Sequence, residues 1–306
     1  MARPLWDLAT PVALIIFNRP ETTKRVFSAI RTARPRQLFV VADGPRPDRP
    51  QEAHQCQQAR AIIDEIDWDC TVQRNYADTN LGCRERVASG LTWLFQQVDE
   101  AIILEDDCLP DPTFFRFCSE LLERYRNDIR IAQISGVNFQ FDRSRPHHSY
   151  YFSRYNHIWG WASWRRAWEL HDHNMTDWHS IRSSEQFANL LSGPAERAYW
   201  IDALDKICAG QLDTWDCQWT LSCWQHRLLT VIPATNLVSN IGFGPYATHT
   251  PIANRYAAMT TQAMNFPLQH PDVVEPDQAS DDYTGRTMYR PASFLSRLMG
   301  RLRGLA

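Results

Sequence analysis

The chain has 306 residues, 44% hydrophobic and 22% charged, a globular balance that argues against a disordered, collagen-like or coiled-coil protein. Its formal charge of −3, from 32 basic and 35 acidic residues, argues against a nucleic-acid partner held by a global basic field. No run of about 18 apolar residues occurs, so no transmembrane helix is expected.

Val12 to Phe17 (VALIIF) is a short apolar run rich in β-branched residues and predicts a buried strand. Pro20 then opens a helix to about Arg31, at a position where its missing N–H costs nothing. Gln37 to Ala42 (QLFVVA) is a second strand, stopped by the turn signal Asp43-Gly44-Pro45. A helix over Ala53 to Ile66 and a strand over Cys70 to Arg74 follow. Asn80-Leu81-Gly82 marks a turn before a helix over Arg84 to Gln97. Ala101 to Leu104 (AIIL) is a fourth strand, stopping at Glu105-Asp106-Asp107, and Pro112 to Tyr125 is again helical. Strands alternating with helices imply a mixed, mainly parallel α/β sheet covered on both faces. In such sheets ligands bind beyond the carboxyl ends of the strands. Polar residues stand at those ends: Asn18 and Arg19, Asp43, and the three acids.

The second half changes character. Tyr150 to Trp168 is aromatic-rich, with Trp161, Trp164 and Trp168 at helical spacing. A helix is expected over Asp213 to His226, a strand over Leu228 to Pro233, a glycine-containing loop over Asn236 to Thr250, and a long surface segment over Met264 to Thr284. With no clear linker, one large domain is expected: residues 1–140 as a half that carries the Glu-Asp-Asp motif, 141–262 as a second half, and 263–306 as an extension. The extension ends in Pro291 to Ala306, whose apolar face is ringed by Arg290, Arg297, Arg301 and Arg303. Such a helix either lies on an anionic membrane surface or docks on its own domain or a partner. The 8 cysteines form no CxxC pair and read as reduced core thiols. The N-terminus lacks a signal-peptide pattern. The expected location is therefore the cytoplasm, with peripheral contact to the inner membrane face if the tail binds lipid.

Three adjacent carboxylates at a strand end repel one another and are costly to desolvate. A hard divalent cation, Mg2+ or Mn2+, relieves both costs. The other reading is an acidic turn into a helix, with Asp111 as its N-cap. By strand alternation, Glu105 and Asp107 share one side and Asp106 takes the other. Asp213-Thr214-Trp215-Asp216 reads as a helix start with Asp213 at N-cap and Asp216 at N3. An Asp near a helix N-terminus stays ionised, and Trp215 offers it an apolar platform. Aromatic faces suit sugar C–H surfaces, and Gly160 permits close backbone approach. Trp159 and Trp161 are accordingly assigned to a site wall, Trp164 and Trp168 to the core.

PVALIIFNRPETTKRV, VADGP, NLGCRERVASGLTWLF and AIILEDDCLPDPTFFRFC together resemble the donor domain of GT-A (Rossmann-like) nucleotide-sugar glycosyltransferases. The Glu-Asp-Asp stretch is similar to that of N-acetylglucosaminyltransferase I and of bacterial surface-polysaccharide transferases. The resemblance covers about residues 11–250 and implies roles residue by residue. Asp107 binds Mn2+ or Mg2+, Asp106 the ribose or the metal shell, and Glu105 lies by the donor sugar. Phe17, Arg19, Asp43, Arg84, Ser239 and Asn240 contact the nucleotide, Asp43 accepting a hydrogen bond from its base, uracil. Asp216 is the general base of an inverting transfer, Trp159, Trp161 and Trp215 face the acceptor, and His249 is a distal metal ligand. The implied donor is a UDP-sugar, with N-acetylglucosamine suggested by the nearest likeness, and the acceptor a glycan or lipid-linked hydroxyl in surface polysaccharide synthesis. A sugar nucleotidyltransferase and a non-catalytic carbohydrate-binding protein remain the competing readings.

Overall fold

The structure, a computed structural model, describes residues 8–141, 143, 148–243 and 255–289. His249 and the tail from residue 290 lie outside the described residues. Among those described, the first half runs β1 (Val12–Ile16), α1 (Pro20–Ala33), β2 (Gln37–Ala42), α2 (Pro50–Ala61), β3 (Thr71–Tyr76), α3 (Gly82–Gln97) and β4 (Glu100–Glu105). There follow β5 (Cys108–Pro110), α4 (Thr113–Tyr125), β6 (Ile131–Ser135), β7 (Tyr150–Ser153), β8 (Trp161–Trp164) and α5 (Arg165–Trp168). Four helices come next, α6 (Trp178–Ile181), α7 (Glu185–Leu190), α8 (Pro194–Cys208) and α9 (Asp216–Gln225), and then β9 (Leu229–Pro233), β10 (Val238–Asn240) and α10 (Gln278–Met288).

Eight strands form one mixed, mainly parallel sheet in the order β3-β2-β1-β4-β8-β6-β9-β7. β3, β2, β1 and β4 are mutually parallel, and β6 is parallel to β9. β8 runs antiparallel to both β4 and β6, and β7 antiparallel to β9. The apolar runs of β1, β2 and β4 feed both faces. Val12, Leu14, Leu38, Val40, Ile102 and Leu104 pack beneath α1 and α4. Their alternates Ala13, Phe39, Val41, Ala101 and Ile103 pack against α3 and the tryptophans of α5 and α9. Strand alternation thus builds two cores from one sequence pattern. A third core around Trp178, Trp200 and Trp224 holds α6 to α9 together.

Several expectations change. Trp161 to Trp164 is a strand, with helix only from Arg165. Trp161 is fully buried among Trp168, Trp215 and Trp219 and is core, not site wall. Gly160 serves packing: φ is +63°, and a Cβ there would stand 2.7 Å from Val238 Cγ2. The segment expected on the surface from Met264 onward buries Met264 and Leu268 and ends in α10, which inserts Ser280, Asp281 and Thr284 into the protein. Of the eight cysteines, all free, Cys208 is exposed instead of core. No helix among the described residues is long and apolar enough to cross a membrane.

Candidate active site

The carboxyl ends of β1, β2 and β4 open into a cleft of about 430 Å³. One wall carries Phe17, Arg19, Asp43, Glu105, Asp106 and Asp107, and the far wall Trp159, Trp215, Asp216 and Asn240. The acids do not follow strand alternation, because β4 ends at Glu105 and the next two residues form a turn. Asp106 folds back to accept the Phe17 N–H at 3.1 Å. Arg19 Nη1 then stands 3.6 Å from Asp106 Oδ1 and donates to Asp107 Oδ2 at 2.7 Å, so one guanidinium serves both acids.

One cation does not neutralise the cluster. Burial, then the charges of Asp107, Asp106 and Asp216, raise the Glu105 carboxyl well above its ordinary range. Among the described residues its Oε1 is buried without a hydrogen-bond partner. Burial pushes Asp106 up to about 7 against the pull of Arg19. Burial lowers the Arg19 pKa, but Asp106 and Asp107 more than offset this, and the net direction is upward. An unpartnered carboxylate oxygen among mutually repelling acids is the setting a hard cation relieves, and the donor set is all oxygen. Among the described residues, no three His, Cys, Asp or Glu side chains form a metal cage. The set fits the Mg2+-type pattern of one or two carboxylates completed by water and phosphate.

The small sheet of β5 and β10 brings the far wall to the acids. Asn240 pairs with Cys108, Ile241 N–H donates to the Asp107 carbonyl at 2.8 Å, and Asn240 Nδ2 approaches Asp107 Oδ1 at 3.4 Å. Gly242 lies so close that a Cβ would stand 2.1 Å from Asp107 Oδ2. Ser239, paired with Leu109, does not reach the cleft.

Asp216 is the first residue of α9, not its N3, and the Thr214 hydroxyl donates to its Oδ1. Trp215 is stacked on Trp161 at 5.7 Å and so held rigidly. Asp213 caps a different helix from the one expected. Its oxygens accept the N–H groups of Cys83 at 2.9 Å and Arg84 at 2.8 Å, at the start of α3. Asp111, in contrast, acts at α4 much as expected, accepting the Thr113 N–H at 2.9 Å.

Arg84 does not line the cleft. Its guanidinium donates to the carbonyls of His173 at 2.8 Å and Ile207 at 3.5 Å. Arg86 lines it instead, beside Asp43. Asp43 holds the Asn80 turn, with Oδ1 accepting from Gly44 and Leu81 and Oδ2 from Asn80, while burial raises its pKa against these bonds. Sequence reasoning missed Arg86, Arg46 and Tyr199. For Arg86 the signal was helix phase: it stands four residues before Gly90 and eight before Leu94, on the buried face of α3.

No family model matches the chain. No curated protein matches it. Among solved structures, the chain is similar to S. aureus TarS residues 1–349 at 8% identity and a TM-score of 0.39, over 75% of this chain. The matched region spans 59% of that TarS chain.

Proposed function

We propose that the chain is a metal-dependent, inverting glycosyltransferase. In this reading it moves a sugar from a nucleotide-sugar, first a UDP-sugar, to a hydroxyl of a glycan or lipid-linked acceptor in bacterial surface polysaccharide synthesis. The observation that carries the reading is the meeting, in one cleft at the strand ends, of Glu105, Asp106, Asp107 and Arg19 with Asp216.

Phe17 offers an aromatic face to the base, with the Arg46 guanidinium 5.5 Å from its ring centroid. Arg19 supplies charge-assisted hydrogen bonds to the diphosphate. Asp107, with Asn240 beside it, would hold Mn2+ or Mg2+, whose chemistry is to neutralise the departing nucleoside diphosphate. Asp106 stands by the ribose, and Glu105 by the donor sugar. Asp216 takes the proton from the acceptor hydroxyl as its oxygen attacks the anomeric carbon from the face opposite the leaving group, which inverts that centre. A positioned base of this kind contributes about 10²–10⁴-fold. Trp159 and Trp215 form the apolar wall against which an acceptor sugar packs.

The test is a donor panel. UDP-, GDP- and dTDP-sugars are incubated with the protein and Mn2+, and free nucleoside diphosphate is measured. Release with at least one donor, lost in Asp216→Asn when acceptor is present, supports the reading. Pyrophosphate release would replace it with a nucleotidyltransferase, and sugar binding with no turnover would replace it with a carbohydrate-binding protein.

A further inference from the structure

Tyr199 is a cleft residue that the transfer step leaves unused. It stands on α8 and lines the cleft beside Trp215, Asp216 and Cys217. Its half-buried ring packs edge-on against Trp200 at 5.6 Å and against Tyr289 at 5.4 Å. Tyr289 is itself held by Trp200 at 4.8 Å and Tyr155 at 5.2 Å, so the Tyr199 ring is fixed from behind. Its hydroxyl is not fixed. Burial, then Cys217, Asp216 and Asp202, raise the Tyr199 pKa, so the phenol keeps its proton. Those groups act through space alone; among the described residues none is hydrogen-bonded to it. A protonated phenol donates one hydrogen bond and accepts another, and a half-buried one ordinarily has a partner.

The other polar groups of this wall are engaged. Asp213 accepts the N–H groups of Cys83 and Arg84, and the Thr214 hydroxyl donates to Asp216 Oδ1. Ile158, Trp159, Leu212 and Trp215 supply apolar surface. We infer that Tyr199 is a specificity-determining residue for the acceptor: its hydroxyl bonds a second hydroxyl of the molecule whose first hydroxyl gives its proton to Asp216. This deepens the transferase reading and rests on it. The acceptor is then a sugar or polyol unit with two hydroxyls on one ring or short chain. A peptide serine or a lipid alcohol offers one hydroxyl only. It would cover the Tyr199 hydroxyl without pairing it, and an unpaired buried hydroxyl costs more than an absent one.

The experiment measures nucleoside diphosphate release from the active nucleotide-sugar by the full chain in Mn2+. The acceptors are the methyl glycosides of glucose, galactose and N-acetylglucosamine, a serine-containing peptide, and octanol. For the best glycoside, deoxy analogues each lacking one hydroxyl other than the one glycosylated are added. In the wild type, one deoxy analogue is expected to have an acceptor KM raised about 3–10-fold, the value of one hydrogen bond. Tyr199→Phe keeps the ring and removes the hydroxyl. It is expected to raise the KM of the parent glycoside by the same factor, more in KM than in kcat, and to treat parent and that analogue alike within about twofold. The wild-type comparison stands by itself should the variant not fold. A wild type that uses every deoxy analogue as well as the parent overturns the inference, as does a folded Tyr199→Phe that keeps the wild-type preference. Release that no glycoside increases, or that the peptide or octanol increases equally, also overturns it. Each of these results leaves the transferase reading standing. No release from any nucleotide-sugar removes the transferase reading and this inference together.

Discussion

Asp213 accepts the backbone N–H of Cys83 at 2.9 Å across 130 positions of sequence, tying the loop before Asp216 to the first turn of α3. Gly82 makes this approach feasible: its φ is +82°, and a Cβ there would stand 2.8 Å from Asp213 Oδ2. One carboxylate thus caps the helix that carries Arg86 and fixes the segment that presents the base candidate. Asp213→Ala is expected to lower stability by about 1–2 kcal/mol, the value of an N-cap. It should also reduce turnover, because Asp216 loses its anchor. Urea denaturation and a turnover assay check both; an unchanged midpoint would show that the cap contributes nothing.

Gly242 is the point where main chain touches Asp107. A Cβ there would stand 2.7 Å from the Asp107 Cβ as well as 2.1 Å from its Oδ2, so Gly242→Ala must displace that carboxylate or the loop. The expected outcome is a loss of Mn2+-dependent turnover of about tenfold or more, since misplacing a reacting group by about 1 Å costs on that order or above. Stability should change little, because Gly242 lies outside the strands. Turnover equal to wild type would show that Asp107 does not need its present position.

The two tryptophans assigned to one wall should part company. Trp161 is fully buried between the aromatic rings of Trp168, Trp215 and Trp219, so Trp161→Ala is expected to cost about 3–5 kcal/mol. Trp159 is only partly buried and lies against Phe139 and Phe243, on the cleft side. Trp159→Ala should cost less in stability and raise the acceptor KM. Thermal melts and acceptor titration separate the two, and equal destabilisation would contradict the assignment.

Asp281 gives a pH dependence away from the cleft. It is buried beneath β7, accepts from Ser153 Oγ at 2.5 Å and Arg154 N at 3.2 Å, and burial pushes its pKa up to about 6. A raised carboxyl pKa means that the folded state holds the proton more tightly than the unfolded state. The stability so gained is present below the unfolded value near 3.8 and is lost as pH rises through about 6. The loss is of the order of 3 kcal/mol. Asp281→Asn should flatten this slope. Denaturation midpoints between pH 4 and pH 7 measure it; parallel curves for the two proteins would contradict it.

The first half was legible because its strands are short apolar runs ended by turn residues. β2 falls on Gln37–Ala42 as read, and the acids that close β4 face the cleft. Side-chain choice within a motif was less legible. Arg84 and Arg86 are two residues apart, and only the phase of α3 sends the second to the cleft and the first to the carbonyls of His173 and Ile207. Asp213 reads as the cap of the helix that follows it, but the N–H it accepts belongs to Cys83, 130 residues earlier. Trp161, Trp164 and Trp168 match helical spacing, yet the first two lie on a strand: pairing with β4 and β6 outweighs local periodicity. Tyr199 reaches the cleft through the packing of α8 against Tyr289, a contact no local pattern encodes.

The central claim is that Asp107 holds a cation against the diphosphate of a nucleotide-sugar. Its most direct test is Mn2+ titration of nucleoside diphosphate release from the active donor, in wild type and in Asp107→Ala, with circular dichroism to show both folded. The account predicts saturable, Mn2+-dependent release by the wild type and a loss of at least about a hundredfold in the variant. Release by the variant at the wild-type rate, with the same Mn2+ dependence, would contradict it.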